Sequence, residues 1–292
     1  MALTSQFSFS KIWVVESLPA GDMKTGRMLV EGPLQVAEYQ HAPLQLAYLP
    51  VDDGTSFFQA LEDIRIDTAK NRTRPLVQIE THGCKDGLGL ADGTLVSWDE
   101  LRGALVSINI ASRMNLMVVA SACEGIHMLK TMNDPSDTAP CFSLLGTEVK
   151  IGPQQLFDHC SEFYKVFFES IDANQALQAM NNLAAQTSVN YRFVTAESMF
   201  KRAYQYYHKN FCAGKGKKKR LDVLVAKAMT EPDIQSRGIK FARKQAKDWF
   251  KSEQPGAFDR MYRKFQALDQ FPENESRFTL RYEEAIEILG SE

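Results

Sequence analysis

The chain has 292 residues, of which 44% are hydrophobic and 24% charged, which excludes a disordered, collagen-like or coiled-coil protein and allows one large domain or two ordinary ones. No stretch approaches the roughly 18 consecutive apolar residues of a membrane-spanning helix. Five cysteines without a CxxC pair argue against a structural zinc site and, being odd in number, against a disulfide framework.

The N-terminal stretch MALTSQFSFSK lacks the basic and apolar regions of a signal peptide. Free thiols fit a reducing compartment. We therefore expect a cytoplasmic protein without a membrane partner.

The first part of the chain predicts alternating strands and helices. Strands are predicted at 11–16, 44–50, 75–81, 116–120 and 140–145, and helices at 56–70 and from 98 to about 108. Capping boxes are predicted at Ser56/Gln59 and at Ser97/Glu100. Continuous apolar runs such as 116–120 are typical of strands in a parallel sheet, so this order predicts a three-layer α/β sandwich.

After Gly152 the apolar spacing becomes helical. We predict a helix with Leu156 and Phe163 on one face, then a helix capped by Asp172, then helices from 191 to the end. Breaks are predicted at 214–216, 231–232, 255–256 and 271–272. The predicted organisation is an α/β domain over residues 1–188 and a basic, all-helical region over 189–292 that packs on it or regulates it.

Two predicted strands end in reactive side chains. The strand at 75–81 is followed by His82 and Gly83, and the strand at 116–120 is followed by Ser121, Ala122 and Cys123. A helix separates the two strands, so they should be parallel, and ligands bind outside the carboxyl ends of such strands. We therefore expect His82 and Cys123 to lie close together.

This pair of side chains suits nucleophilic catalysis. A thiolate is the effective nucleophile, and a neighbouring imidazolium favours it and then protonates the leaving amine. Glycine lets the backbone approach a substrate closely. The amide groups of Gly83 and Cys123 could form an oxyanion hole. Neither a metal nor an organic cofactor is needed for this chemistry.

A family resemblance adds to this interpretation. A strand ending in His-Gly and a later strand ending in Ala-Cys resemble the caspase-like cysteine peptidases of clan CD, although Ser121 stands where the caspase signature Gln-Ala-Cys-x-Gly has glutamine. The segments GLADGTLVSWDEL (89–101) and VVASACE (118–124) look closer to the CHAT branch, where Gly125 replaces the usual threonine. The resemblance covers roughly residues 75–185.

The resemblance implies a caspase-like fold and a thiol protease with His82 and Cys123 as catalytic dyad. It also implies a narrow protein substrate. Many prokaryotic CHAT proteins act in antiviral defence or programmed cell death, released when a regulatory protein partner senses infection. We expect such a partner here. Residues 191–292 resemble nothing that we recognise.

The residues that select the substrate are less clear. Relatives that cleave after Arg or Lys place an acid near the dyad, often at the position that Ser121 occupies here. Asp86, Asp92 and Glu124 are the candidate acidic residues of the pocket. Each could equally be a solvated loop carboxylate. Lys85 or Arg113 could equally favour an acidic P1 residue. Of these alternatives we expect a basic or large P1 residue.

Residues 191–265 hold 19 Lys/Arg against 7 Asp/Glu, whereas the rest of the chain is acidic. The run 215–220 is predicted to be an exposed loop before a helix. No aromatic residues interleave with its lysines, so we do not expect nucleic acid as a partner. Two alternatives to a protease stay open: a catalytically silent caspase-like adaptor, and a nucleic-acid-binding protein that uses the basic tail.

Overall fold

The computed structural model describes residues 9–132 and 134–287; most of the N-terminal stretch discussed above lies outside them. Eight strands are found in the described part of the chain. They are β1 (Lys11–Ser17), β2 (Gln45–Pro50), β3 (Pro75–Cys84), β4 (Gly87–Gly89), β5 (Leu95–Ser97), β6 (Met117–Ser121), β7 (Ser143–Thr147) and β8 (Tyr191–Thr195).

Eleven α-helices are found in the same residues. They are α1 (Thr25–Leu29), α2 (Gln35–Gln40), α3 (Gly54–Asn71), α4 (Trp98–Ala111), α5 (Pro153–Ser170), α6 (Ala173–Ala184), α7 (Ala196–Tyr207), α8 (Gly214–Ala228), α9 (Pro232–Arg237), α10 (Ile239–Phe265) and α11 (Tyr282–Ile286). Short 3₁₀ helices lie at Gly125–Thr131, Ala185–Thr187 and Pro272–Arg277, and π-helical turns at Val30–Leu34 and His208–Cys212.

The sheet has the strand order β2-β1-β3-β6-β7-β8. All neighbouring strands along this order are parallel except β7 and β8, which are antiparallel. The prediction of an α/β fold with a mostly parallel sheet is therefore confirmed. Because β1, β3 and β6 are parallel neighbours, their carboxyl ends lie at the same edge of the sheet, which is where ligands bind in open α/β sheets.

One face of the sheet packs against α1, α2, α5 and α6. Alternate residues of the strands, such as Ile12, Leu76 and Met117, form a buried cluster with Phe163 and Tyr164 of α5. The side chains between them point to the opposite face, as the period of two requires, and α3 contacts β1 and α4. Toward the carboxyl edge the same rows change from apolar to polar, at Gln78, Glu80 and Ser121.

Four local predictions need correction. Helix α3 begins at Gly54, and its capping box joins Asp53 and Ser56, because the side chain of Asp53 reaches the Ser56 amide. Residues 191–195 form β8 and no helix, since this β-rich segment pairs with β7. Helix α10 continues through Pro255 because apolar residues pack on both sides of it, with Ala246 against the α8 cluster and Phe258 against Phe200.

The fourth correction concerns the lysine run. Residues 215–220 lie inside α8 rather than in a loop. The predicted capping box at Ser97/Glu100 and the Asp172 cap are confirmed.

The chain divides into two compact units. One comprises Met1–Thr131 and Ala139–Ala196, and the other Met132–Thr138 and Glu197–Glu292. No helix among the described residues combines the length and apolarity that crossing a bilayer requires.

Candidate active site

The ends of β3 and β6 bring His82 and Cys123 to one place. The two strands pair in parallel up to Glu80 opposite Ser121, and His82 and Cys123 each follow two residues later. A Cβ atom built on Gly83 would lie 2.1 Å from the carbonyl oxygen of Cys123. The backbones of the His-Gly and Cys segments are therefore in direct contact, and only glycine allows it.

His82 lies where β3 leaves the sheet. Beyond Thr81 the strand pairs in antiparallel fashion with β4, His82 opposite Gly89, and β4 pairs with β5 to complete a small hairpin. The side chain of His82 is 60% exposed. The imidazole is thus presented to solvent at the edge of the sheet, where a substrate can reach it.

Within the part of the chain that the structure describes, the ring of His82 has one polar partner. Its Nε2 lies 2.7 Å from Oδ2 of Asp22, in the loop that follows β1. A carboxylate can only accept, so the protonated Nε2 donates in this contact. This leaves Nδ1 as the nitrogen available for proton transfer.

The thiol of Cys123 lies against the loop before α5. The amide of Ile151 donates to Sγ at 3.4 Å, and Sγ lies 3.7 Å from the carbonyl oxygen of the same residue. Glu124, the next residue, has a φ of 58°, so the chain turns sharply after Cys123. The amide of Cys123 has no hydrogen-bond acceptor among residues 9–132 and 134–287. It is therefore available as an oxyanion donor.

No hydrogen bond joins the side chains of His82 and Cys123 in the described part of the chain, since each has another partner. Hydrogen bonds between catalytic groups are often long before substrate binds, so the absence of one here is compatible with His82 and Cys123 acting as an acid–base pair. Acid–base transfer through Nδ1 requires the substrate to enter between the two groups.

Three other cysteines are unsuited to nucleophilic chemistry. Cys141, Cys160 and Cys212 are buried, whereas Cys84 and Cys123 are partly exposed. Burial raises the pKa of Cys160 to about 12 and that of Cys141 further. Both are thiols at neutral pH. Cys84 and Cys123 are therefore the two cysteines whose side chains solvent can reach, and Cys123 is the one that accepts a hydrogen bond from a backbone amide.

A buried polar network underlies the site. Oε2 of Glu80 accepts a hydrogen bond from Thr25 at 2.5 Å, and Oε1 accepts one from Nε2 of Gln78, which also reaches Ser121. Glu80 is 1% exposed. Burial raises the pKa of Glu80 to about 7, although hydrogen bonds from Thr25, Gln78 and Ser121 oppose the shift.

The network also holds the segment that carries Asp22. The amide of Gly26 donates to Oε1 of Glu16 at 2.7 Å, and Tyr48 donates to the other oxygen of Glu16. A Cβ on Gly26 would lie 2.8 Å from Cγ of Glu80. The start of α1 thus packs directly on two buried glutamates at the ends of β1 and β3, and this fixes the loop before it.

No model of a known protein family matches the sequence. A comparison with curated proteins also finds no match.

The four candidate pocket residues occupy different places. Asp86 is exposed at the tip of the β3–β4 turn, which Trp98 holds through the carbonyl of Lys85. Asp92 shapes the β4–β5 hairpin, where both of its oxygens accept hydrogen bonds from Thr94.

The other two candidates lie close to Cys123 in the sequence. Ser121 is buried in the polar network and contacts Sγ of Cys160 at 3.2 Å. Glu124 is half-buried next to Cys123, and its amide donates to the carbonyl of Val149. The structure therefore brings Ser121, Glu124 and the dyad together, whereas Asp86 and Asp92 belong to the hairpin. The roles of all four in substrate selection stay predictions.

Sequence reasoning missed Asp22, Glu16 and Glu80. Glu16 and Glu80 lie opposite each other near the ends of β1 and β3. Each could have been found by the rule that identified His82, because a carboxylate near the carboxyl end of a parallel strand lies where ligands bind. Asp22 gave a weaker signal, because it lies five residues beyond β1 and no strand register places it.

Proposed function

We propose that the chain is a caspase-like cysteine endopeptidase, built on a three-layer α/β/α sandwich, with Cys123 as nucleophile and His82 as acid and base. The observation that carries the proposal is the direct contact between Gly83 and Cys123 at the ends of two parallel strands. It brings together a partly exposed thiol, an exposed imidazole and an amide donor.

The proposed reaction has two halves. Nδ1 of His82 takes the proton of the Cys123 thiol as the sulfur attacks the scissile carbonyl, and the amides of Cys123 and Gly83 stabilise the oxyanion. The C–N bond then breaks, and His82 gives that proton to the departing amine, which leaves a thioester. His82 next takes a proton from water, whose oxygen attacks the thioester, and the C–S bond breaks as His82 returns the proton to the sulfur, so that the acid product leaves and the thiol is restored. Asp22 acts as a positioning residue that orients the imidazole.

The biological setting follows from the resemblance alone. We propose that a partner protein activates the protease in antiviral defence or programmed cell death, and that it cleaves one specific protein substrate. The separation of His82 and Cys123 by independent hydrogen bonds supports a resting state that substrate or a partner completes.

The decisive experiment is covalent labelling with a panel of peptidyl acyloxymethyl ketones carrying Arg, Lys, Leu or Asp at P1. Mass spectrometry should locate the adduct on Cys123 for one probe. His82→Ala should abolish this labelling, and Cys84→Ala, the matched control for the other partly exposed thiol, should leave it unchanged. The panel is repeated in lysate of stressed source cells, which supplies a partner. Absence of Cys123 adducts there as well would overturn the protease and favour a silent adaptor.

A further inference from the structure

The exposed face of α10 carries a regular line of lysines. Lys240, Lys244, Lys247 and Lys251 follow one another at spacings of four, three and four residues. At 3.6 residues per turn they fall within an arc of roughly 60°, and at 1.5 Å per residue they extend over about 16 Å. We call these four residues the lysine stripe. All four are exposed.

The charges of the stripe are not neutralised. None of its lysines forms an ion pair within residues 9–132 and 134–287, whereas the neighbouring Arg243 pairs with Asp222 of α8 at 3.4 Å. Asp248 is the acidic residue closest in sequence. From residue 214 to residue 251 the chain holds 12 Lys/Arg against 4 Asp/Glu. The stripe therefore belongs to a strongly positive surface.

The lysine run at the start of α8 adds to this surface. Nζ of Lys217 lies 5.4 Å from the ring centroid of Phe250, and the guanidinium of Arg220 lies 5.5 Å from it. Phe250 is adjacent in sequence to Lys251. The run thus lies beside the C-terminal end of the stripe, and folding joins two basic segments that are about 30 residues apart in the chain.

The geometry points to the phosphate backbone of a nucleic-acid duplex as the partner of the lysine stripe, bound without regard to sequence. A duplex carries one negative charge per about 1.7 Å of its axis, so a 16 Å length of it holds about ten phosphates, enough to supply one partner for each lysine of the stripe. Lysine acts as a point charge and needs no fixed geometry toward phosphate, and no arginine fork lies on the stripe.

Two other anionic partners fit the stripe less well. A lipid surface would require apolar residues on the same face, but Ala242 and Ala246 of α10 are buried against Val225 of α8. An acidic protein would require an apolar or aromatic anchor, because lysine is depleted from the centres of protein interfaces. The residues that share the stripe's face between Lys240 and Lys251 are charged.

The test measures the anisotropy of a fluorescein-labelled 20-base-pair DNA duplex with the full chain, from 50 to 300 mM NaCl. We expect log K to fall with log salt with a slope of about −3.6 or steeper, the value for four phosphate contacts. Substituting Gln at all four stripe positions should weaken binding at least 10-fold at 50 mM. The four substitutions to Arg should preserve it. Glutamine and arginine both favour helix, so the fold is retained.

The matched control replaces four exposed lysines elsewhere, Lys70, Lys165, Lys209 and Lys264, by Gln, which changes the net charge equally. It should bind like the wild type, and a second duplex of unrelated sequence should bind equally. The inference is overturned if control and stripe variants lose affinity alike, or if neither does. Binding of polyglutamate or phosphatidylserine vesicles in place of the duplex would also overturn it. The outcome does not depend on the protease proposal.

Discussion

The carboxylate of Asp22 lies 2.7 Å from Nε2 of His82, and this contact decides which nitrogen of the ring carries the proton. With the proton on Nε2, Nδ1 carries the lone pair that the proposed reaction uses. Asp22 itself is 40% exposed, so the pair contributes little to stability. Its role is orientation, and the effect of losing it should appear in reactivity rather than in folding.

We expect Asp22→Ala to slow the labelling of Cys123 roughly 10-fold, because one orienting contact is lost. Asp22→Asn keeps a hydrogen-bond acceptor, so its labelling rate should lie between those of the wild type and Asp22→Ala. Nitrogen-15 NMR of the His82 ring, assigned with His82→Ala, should show the Nε2–H tautomer in the wild type and a mixture in Asp22→Ala. Faster labelling of Asp22→Ala would instead identify Asp22 as an inhibitory cap.

At the scale of elements, the site depends on the close approach of β3 to the turn after β6. The carbonyl of Cys123 occupies the space where residue 83 would carry a side chain. A backbone atom cannot move aside cheaply, so any larger residue must separate the two strand ends. The separation would displace the nucleophile from the imidazole and from the oxyanion donors together.

Gly83→Ala should therefore reduce labelling of Cys123 at least 10-fold and destabilise the fold by about 1–3 kcal/mol, the usual cost of overpacking. Gly103→Ala is the matched control, because no atom lies within 4 Å of its added Cβ in the middle of α4. That control should stabilise the protein by about 0.5–1 kcal/mol and leave labelling unchanged. Wild-type labelling rates in Gly83→Ala would contradict the proposed geometry.

The elements differ in how far the sequence predicts them. Continuous apolar runs gave the central strands, since burial on both faces leaves an unmistakable pattern. The strands β4 and β5 have three residues each and β4 contains two glycines, so no periodicity could reveal them. The sequence predicts a break at Pro255, but packing on both sides of it outweighs the lost hydrogen bond in α10.

At the scale of the whole molecule, short sequence patterns predict that His82 and Cys123 lie close together, but they do not predict which residues contact the two side chains. The central strands follow from patterns of about ten residues or fewer, and the rule for the carboxyl ends of parallel strands then brings His82 and Cys123 together. The contact of Asp22 with His82 joins residues 60 positions apart through an irregular loop. The lysine stripe lies wholly before the predicted break at 255–256, so its spacing could be read from the sequence. Its exposure and its position beside the lysine run of α8 could not, because they depend on how α8 and α10 pack.

The buried Glu80 couples the stability of the whole fold to pH. Its pKa is about 7 in the folded protein against an ordinary value of 4.5, so the folded state holds the proton more tightly than the unfolded chain. The stabilisation is fully present below about pH 4.5 and is lost as pH rises toward 7. At about 1.36 kcal/mol per pH unit the change is on the order of 3 kcal/mol.

Glu80→Gln has the shape of the neutral glutamic acid and does not titrate. Between pH 4.5 and pH 8 its free energy of unfolding should therefore rise relative to that of the wild type by on the order of 3 kcal/mol. Urea unfolding at four pH values measures the difference. The exposed Glu62 has a pKa below 4.5 because Arg65 binds it, so Glu62→Gln should show a constant difference over this range. If the difference in unfolding free energy between Glu80→Gln and the wild type is also constant with pH, the prediction fails. Water or a rearranged Thr25 would then stabilise the charged carboxylate, and the start of α1 would not pack on a neutral glutamic acid.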